Sequence, residues 1–270
     1  MKSHFYHFGF FHVVMIAILM TELFLSGCSE EGKSEKAQAV IQVSTIDALM
    51  TGVYDGTTTL KDLSRLGDFG IGTFNALDGE MALIEGTFFQ VTGSGDVNKP
   101  GPSIQTPFAT VTFFNPENKY QVAGLSFTGL KSMADSLMKS PNLFYALRVE
   151  GTFNSVKTRS VPSQTKPYPP LVEVTADQPE FETDTITGTL SGFYCPPFVK
   201  GVNMPGYHLH FISDDQSFGG HVLGFELGNG ILEMDQIDRF RLILPLDEGF
   251  LEADLTDDLS EELEDVEGGS

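Results

Sequence analysis

Two histidines separated by one residue, His208-Leu209-His210, stand in an apolar run, and a third, His221, follows a stretch of turn-forming residues. Alternate side chains on a β-strand share a face, so His208 and His210 point the same way while Leu209 points oppositely. The intervening Ser213-Asp214-Asp215-Gln216-Ser217-Phe218-Gly219-Gly220 has the composition of a turn. Such a turn returns His221 on an adjacent strand about 4.8 Å away. Three imidazole nitrogens converging from one face make a ligand set for a divalent cation, with bonds of about 2.0–2.1 Å and one position open for a small ligand. Zn²⁺ suits this set, and Fe or Mn is compatible with the same spacing. The competing reading is a packed histidine pair with an unrelated third, since spacing alone does not diagnose a metal.

These residues must be held by strands. Met81–Val91, Ala109–Phe114, Phe144–Val156, Thr185–Phe193, Tyr207–Ile212, His221–Leu227 and Arg239–Leu244 are rich in Val, Ile, Phe and Thr and bounded by Gly, Pro or Asn. Helices are fewer and short. Ser44 and Thr45 precede Ile46–Met50, Thr58 and Thr59 precede Leu60–Leu63, and hydroxyl residues of this kind cap helix N-termini. Leu130, Met133, Ala134 and Leu137 share one face of a helix predicted over Thr128–Lys139, which ends before Pro141. A cadence recurs in Ile84-Glu85-Gly86-Thr87-Phe88, Val149-Glu150-Gly151-Thr152-Phe153 and Ile186-Thr187-Gly188-Thr189-Leu190, consistent with a duplicated sheet unit or with chance among β-rich segments. The expected class is α+β in two domains, mixed β-sheets with a few short helices. Pro167, Pro169 and Pro170 mark a crossing between halves, which places an N-terminal α+β domain at 41–165 and a C-terminal metal-binding domain at 166–270.

The chain has 270 residues, 41 % of them apolar, enough for one large or two modest folded domains. Asp and Glu number 37 against 16 Lys and Arg, and the resulting charge of −21 repels phosphate backbones, so nucleic acid is excluded as a partner. Lys2, an apolar run over Phe8–Met20 and Leu25-Ser26-Gly27-Cys28 resemble the signal and processing box of a bacterial lipoprotein. Phe8–Met20 is too short to be a spanning helix, which needs about 20 residues. On this reading 1–27 is a signal peptide, Cys28 carries the lipid, 28–40 is a polar tether, and the protein is exported and held at a membrane on the periplasmic or cell-surface side. His4, His7 and His12 leave with the signal, Cys195 is left as a lone thiol, and the remaining histidines are the clustered three.

Several ordered blocks resemble bacterial acetolactate decarboxylase. They are Ser44–Met50, Gly67-Asp68-Phe69-Gly70-Ile71-Gly72-Thr73, Leu77-Asp78-Gly79-Glu80-Met81, Arg159-Ser160-Val161-Pro162-Ser163-Gln164, and Pro205–Phe211 with Gly219–Leu223. The resemblance runs from about Val43 to about Leu255. It implies a two-domain α+β enzyme that converts acetolactate to acetoin and carbon dioxide. It also implies zinc on His208, His210 and His221, a functional Arg159, Glu80 with Thr73 beside the same pocket, and a second glutamate falling on Glu267. A homodimer is implied by the resemblance alone. Without it, Glu80 after Asp78-Gly79 reads as a loop carboxylate and Arg159 as a surface base. Glu267 lies in the acidic run 251–270, which by composition is a solvated tail.

The implied chemistry uses the metal as a Lewis acid for the charge that develops on the ketone oxygen as an enediolate forms. Arg159 orients the departing carboxylate through its planar fork, and Glu80 or Glu267 protonates one face to give a single acetoin enantiomer. Phe-rich strands are expected to wall the pocket against water. Two other readings use the same residues. One is a non-catalytic metal-binding lipoprotein. The other is a cupin-like metal oxygenase, because His-x-His is similar to the cupin motif and Asp214 and Asp215 stand near its carboxylate position, although the glycine spacing of a second cupin motif around His221 is missing.

Overall fold

The computed structural model describes Met1 and residues 38–267, so the expected leader, Cys28 and nearly all of the tether lie outside the described residues. Chain order begins with β1 (Val40–Val43), α1 (Ile46–Met50), β2 (Thr58–Thr59), α2 (Leu60–Leu63), β3 (Phe69–Thr73), β4 (Glu80–Ile84) and β5 (Thr87–Val91). It continues through β6 (Val97–Asn98), β7 (Gln105–Thr106), β8 (Ala109–Thr112), β9 (Asn118–Ser126), α3 (Phe127–Leu137) and β10 (Phe144–Arg159). After α4 (Leu171–Thr175) come β11 (Glu180–Cys195), β12 (Gly206–Ser213), β13 (Gly219–Ile237), β14 (Phe240–Ile243), α5 (Glu248–Glu252) and α6 (Ser260–Glu267). The architecture is α+β, with mixed sheets and short helices as expected. Among the described residues no helix is long and apolar enough to cross a membrane.

One sheet has seven strands in the order β14-β1-β8-β3-β4-β5-β6, with β14 parallel to β1. The second is built on β10-β11-β12-β13 with β9 added beside β13, and β13 also pairs with β10, so four strands close into a ring. Side-chain alternation explains how the ring packs on both faces. Leu147, Val149, Phe153, Leu209 and Phe211 fill the ring core, while Ala146, Phe193 and Cys195 from the opposite face meet Phe69 and Ile71 of the first sheet. Phe153 stands edge-on to both Phe211 and Phe225, at 5.1 Å and 5.6 Å between centroids, a favourable arrangement of ring quadrupoles. Leu209 and Phe211 therefore turn inward, and His208 and His210 turn out toward the first sheet.

Capping follows the sequence expectation. Thr45 Oγ1 accepts from Ala48 N at 3.2 Å and Thr59 Oγ1 from Asp62 N at 3.2 Å. The third helix starts one residue before the predicted Thr128 and ends at Leu137, and Ser126, whose Oγ accepts from Gly129 N at 3.2 Å, is a cap the sequence reading did not name. The run read as one strand over Met81–Val91 is broken at Glu85-Gly86, whose φ of +49° and +76° make the tight turn between β4 and β5. The sheets do not divide at 165/166. β10 and β11 flank the proline-rich crossing and pair with each other from Tyr145↔Tyr194 to Arg159↔Glu180, while β14 returns to the first sheet. Proline marks a turn whether the chain passes between domains or between strands of one sheet. The glycine cadence is likewise no duplicated unit: Gly151 faces Gly188 in mid-strand, whereas Gly86 sits in a turn. Part of the acidic run is also ordered, because α6 buries Leu263 and Val266 against α1 and α4.

Candidate metal centre and active site

The strand registers bring the chemistry together in one row. His210 on β12 pairs with His221 on β13, and His221 pairs on its other side with Arg159 at the end of β10. Directly paired residues project from the same face, and His208, two residues before His210, shares it. His208 Nε2 lies 3.2 Å from His210 Nε2 and 3.2 Å from His221 Nδ1. One nitrogen from each ring lies within 4.8 Å of the others. Nitrogens bound tetrahedrally to one ion at about 2.0–2.1 Å are themselves about 3.4 Å apart, so the spacing fits a shared cation.

Protonation fits as well. Burial first, and the Arg159 charge second, push the His208 pKa down to about 3, so this ring is neutral and its lone pair is available at neutral pH. His210 Nδ1 donates to the carbonyl oxygen of Met81 at 2.7 Å, which fixes the tautomer and leaves Nε2 as the ligand atom. All three rings are buried.

A guanidinium and a carboxyl group border the trio. Arg159 is buried, with Nη2 at 3.3 Å from His221 Nε2, so it is no surface base. Glu80 Oε2 lies 3.4 Å from His210 Nε2. Glu80 is aimed by a tightly held turn: Gly79 has φ +82°, and a side chain there would collide with the Val91 carbonyl. Thr73 Oγ1 donates to the Gly79 carbonyl at 2.7 Å, so Thr73 does border the pocket, but its hydroxyl proton is spent on the turn. Ala76 and Leu77, just before, hold φ of +62° and +55°. Glu267 is the last residue of α6, and its side chain lies outside the described residues. Its neighbour Val266 lines the pocket, which brings the end of α6 to the site.

The pocket has a polar side formed by Thr73, Glu80, Arg159, His208 and His221. Its apolar side is Leu49, Leu77, Phe108, Val161, Leu171 and Val266, drawn mainly from helices and loops. The expected wall of Phe-rich strands is thus corrected, because Phe153 of β10 and Phe211 of β12 face the ring core, and Phe144 packs with Phe69 and Phe193 between the sheets. Sequence reasoning missed Leu77, Leu171 and Val266, which stand in segments too short to display a hydrophobic period. Asp214 and Asp215 are exposed at the hairpin tip, where Asp215 accepts from Ser213 Oγ at 2.7 Å, away from the imidazoles.

Fold and site together define an α+β protein whose buried histidine trio could hold a metal ion beside a pocket of mixed polar and apolar lining. A family model for alpha-acetolactate decarboxylase matches residues 40–257. The alpha-acetolactate decarboxylase of Methylococcus capsulatus is 46 % identical over 231 residues, covering 84 % of this chain and 88 % of that protein. That of Methanosarcina mazei is 45 % identical, covering 86 % and 81 %. The crystal structure of the Bacillus subtilis strain 168 enzyme superposes with a TM-score of 0.83 at 38 % identity, covering 85 % of this chain and 99 % of that one. The chain belongs to the alpha-acetolactate decarboxylase family, which displaces the cupin-like reading.

Proposed function

We propose that the protein decarboxylates 2-acetolactate to acetoin and carbon dioxide with zinc as its resident metal. The observation that carries this reading is the convergence of His208, His210 and His221 with Arg159 and Glu80 at their rim. A zinc ion held by the three imidazoles would supply Lewis acidity toward the oxygens of an α-hydroxy ketone. Arg159 presents a planar fork of donors that orients the substrate carboxylate for departure, without the full neutralisation that would oppose its loss. Glu80, fixed by the Gly79 turn, delivers a proton from its carboxyl oxygen to one face of the resulting enediolate, which gives one acetoin enantiomer. The family resemblance adds Glu267 as a second acid at the pocket. The apolar walls exclude water and strengthen the field of the charged groups.

The test is an acetolactate assay with bound-metal analysis on wild type and His210→Ala in parallel. Wild type is expected to form acetoin and carbon dioxide in equal amounts with about one zinc per chain, and His210→Ala to lose both metal and turnover. Zinc-loaded wild type that forms no acetoin would overturn the reading. Export and lipid anchoring through Cys28 belong to the same proposal on the pattern of residues 1–28, tested by loss of lipid incorporation in Cys28→Ser. A homodimer, from family resemblance, is tested by sedimentation.

A further inference from the structure

We infer that Leu77 limits the size of the alkyl groups the site accepts, an assignment that rests on the reading of the pocket as an acetolactate site. Leu77 has φ +55° and follows Ala76 at φ +62°, a left-handed pair that side-chain-bearing residues rarely adopt and glycine or asparagine adopts readily. The backbone here is tied on every side. Ala76 N donates to Tyr54 O at 2.8 Å, Ala76 O accepts from Gln164 N at 2.7 Å, Gly79 N donates to Leu77 O at 2.9 Å, and Gln90 Nε2 donates to Asp78 O at 2.7 Å. A strained residue persists only where its surroundings over-determine it, and such residues cluster at functional sites. Turn geometry alone gives no reason for leucine. What leucine adds is a side chain, 2 % exposed, that forms part of the pocket wall.

The substrate's chemistry defines what that wall meets. Acetolactate has a carboxylate, which Arg159 orients, a hydroxyl and a ketone, which lie toward the histidine side, and two methyl groups, which are left to the apolar side. Leu171 and Val266 on that side ride on short helices, of five and eight residues. Leu77 is set by the same hydrogen-bonded turn that aims Glu80, so its distance from the reacting groups is fixed.

The experiment compares kcat/KM for acetolactate with that for two homologues, each carrying ethyl in place of one methyl. One added methylene against a hydrophobic wall changes kcat/KM by about 10- to 200-fold. Leu77→Ala and Leu77→Gly are each expected to raise the ratio of at least one homologue to acetolactate by about 10-fold. Leu77→Gly, unstrained at this φ, should melt no lower than Leu77→Ala. Leu263→Ala thins the same apolar cluster away from the pocket lining and should leave both ratios unchanged. Ratios within twofold of wild type in both Leu77 variants would overturn the assignment, as would an equal shift in Leu263→Ala. Wild type that turns over none of the three compounds would instead overturn the functional reading and this inference with it.

Discussion

Nδ1 of His210 donates to the carbonyl oxygen of Met81 at 2.7 Å, joining the strand that carries two imidazoles to the strand that begins with Glu80. The bond ties the ring of strands to the first sheet at the site itself. It also holds the His210 ring so that Nε2 faces His208 and Glu80.

Replacing His210 by Ala removes a ligand and this tie together. Metal affinity should fall by about 100-fold or more, given that loss of a mere supporting contact to a ligand costs about 10- to 100-fold. Elemental analysis after dialysis checks this, with circular dichroism to show that the sheets remain.

Arg159→Lys keeps the charge and loses the fork. Misplacement of a reacting group costs about 100-fold, and kcat/KM for acetolactate should fall by about that factor while bound metal is unchanged. Steady-state kinetics beside metal analysis would detect the alternative, in which the arginine merely supports His221 and metal is lost in parallel.

Glu80→Gln removes the acid with little change of shape. Turnover should fall by about 100- to 10,000-fold, and the acetoin that still forms should lose its enantiomeric excess. Chiral chromatography of the product reads this directly. Unchanged enantiomeric excess would assign the proton to another group.

Burial pushes the Cys195 thiol up to about 12, from an ordinary value near 8.5. The unfolded chain then releases this proton before the folded one does, so stability is full below about pH 8.5 and declines as pH rises toward 12. Urea unfolding between pH 8 and 10.5 should show a smaller decline in Cys195→Ala than in wild type. A thiol reagent at pH 8 should label Cys195 only in denaturant.

Leu263 and Val266 are the apolar anchors of α6. Leu263→Ala should cost about 2–5 kcal/mol, the range for truncation of a buried leucine. Denaturant titration measures it.

Much of the site was legible because its chemistry is local. A His-x-His in an apolar run specifies one face, and the Asp214–Gly220 turn specifies an adjacent return, so the trio could be assembled from pattern alone. Arg159 and Glu80 were not readable that way. Their places depend on pairings between strands far apart in sequence, Arg159↔His221 and Thr73↔Glu80, and only the family blocks pointed to them. The lower half of β13 went unread because Gly228-Asn229-Gly230 has the composition of a turn, yet it continues as a strand with a register shift opposite Thr152 and Phe153. The strand β9 was missed for its polar, half-exposed surface, and α4 and α6 for their brevity.

Two of the imidazoles stand on backbone paired on both sides: His210 lies between Ser191 and His221, and His221 between His210 and Arg159, while His208 pairs with Phe193 of β11. A strand enclosed on both sides cannot fray, and amides at such positions exchange for deuterium only when the whole unit opens. The His210–His221 half of the ligand cradle is therefore preorganised by its ladder, keeping its spacing before any ion arrives, and at that level it offers no margin onto which a foreign strand could graft.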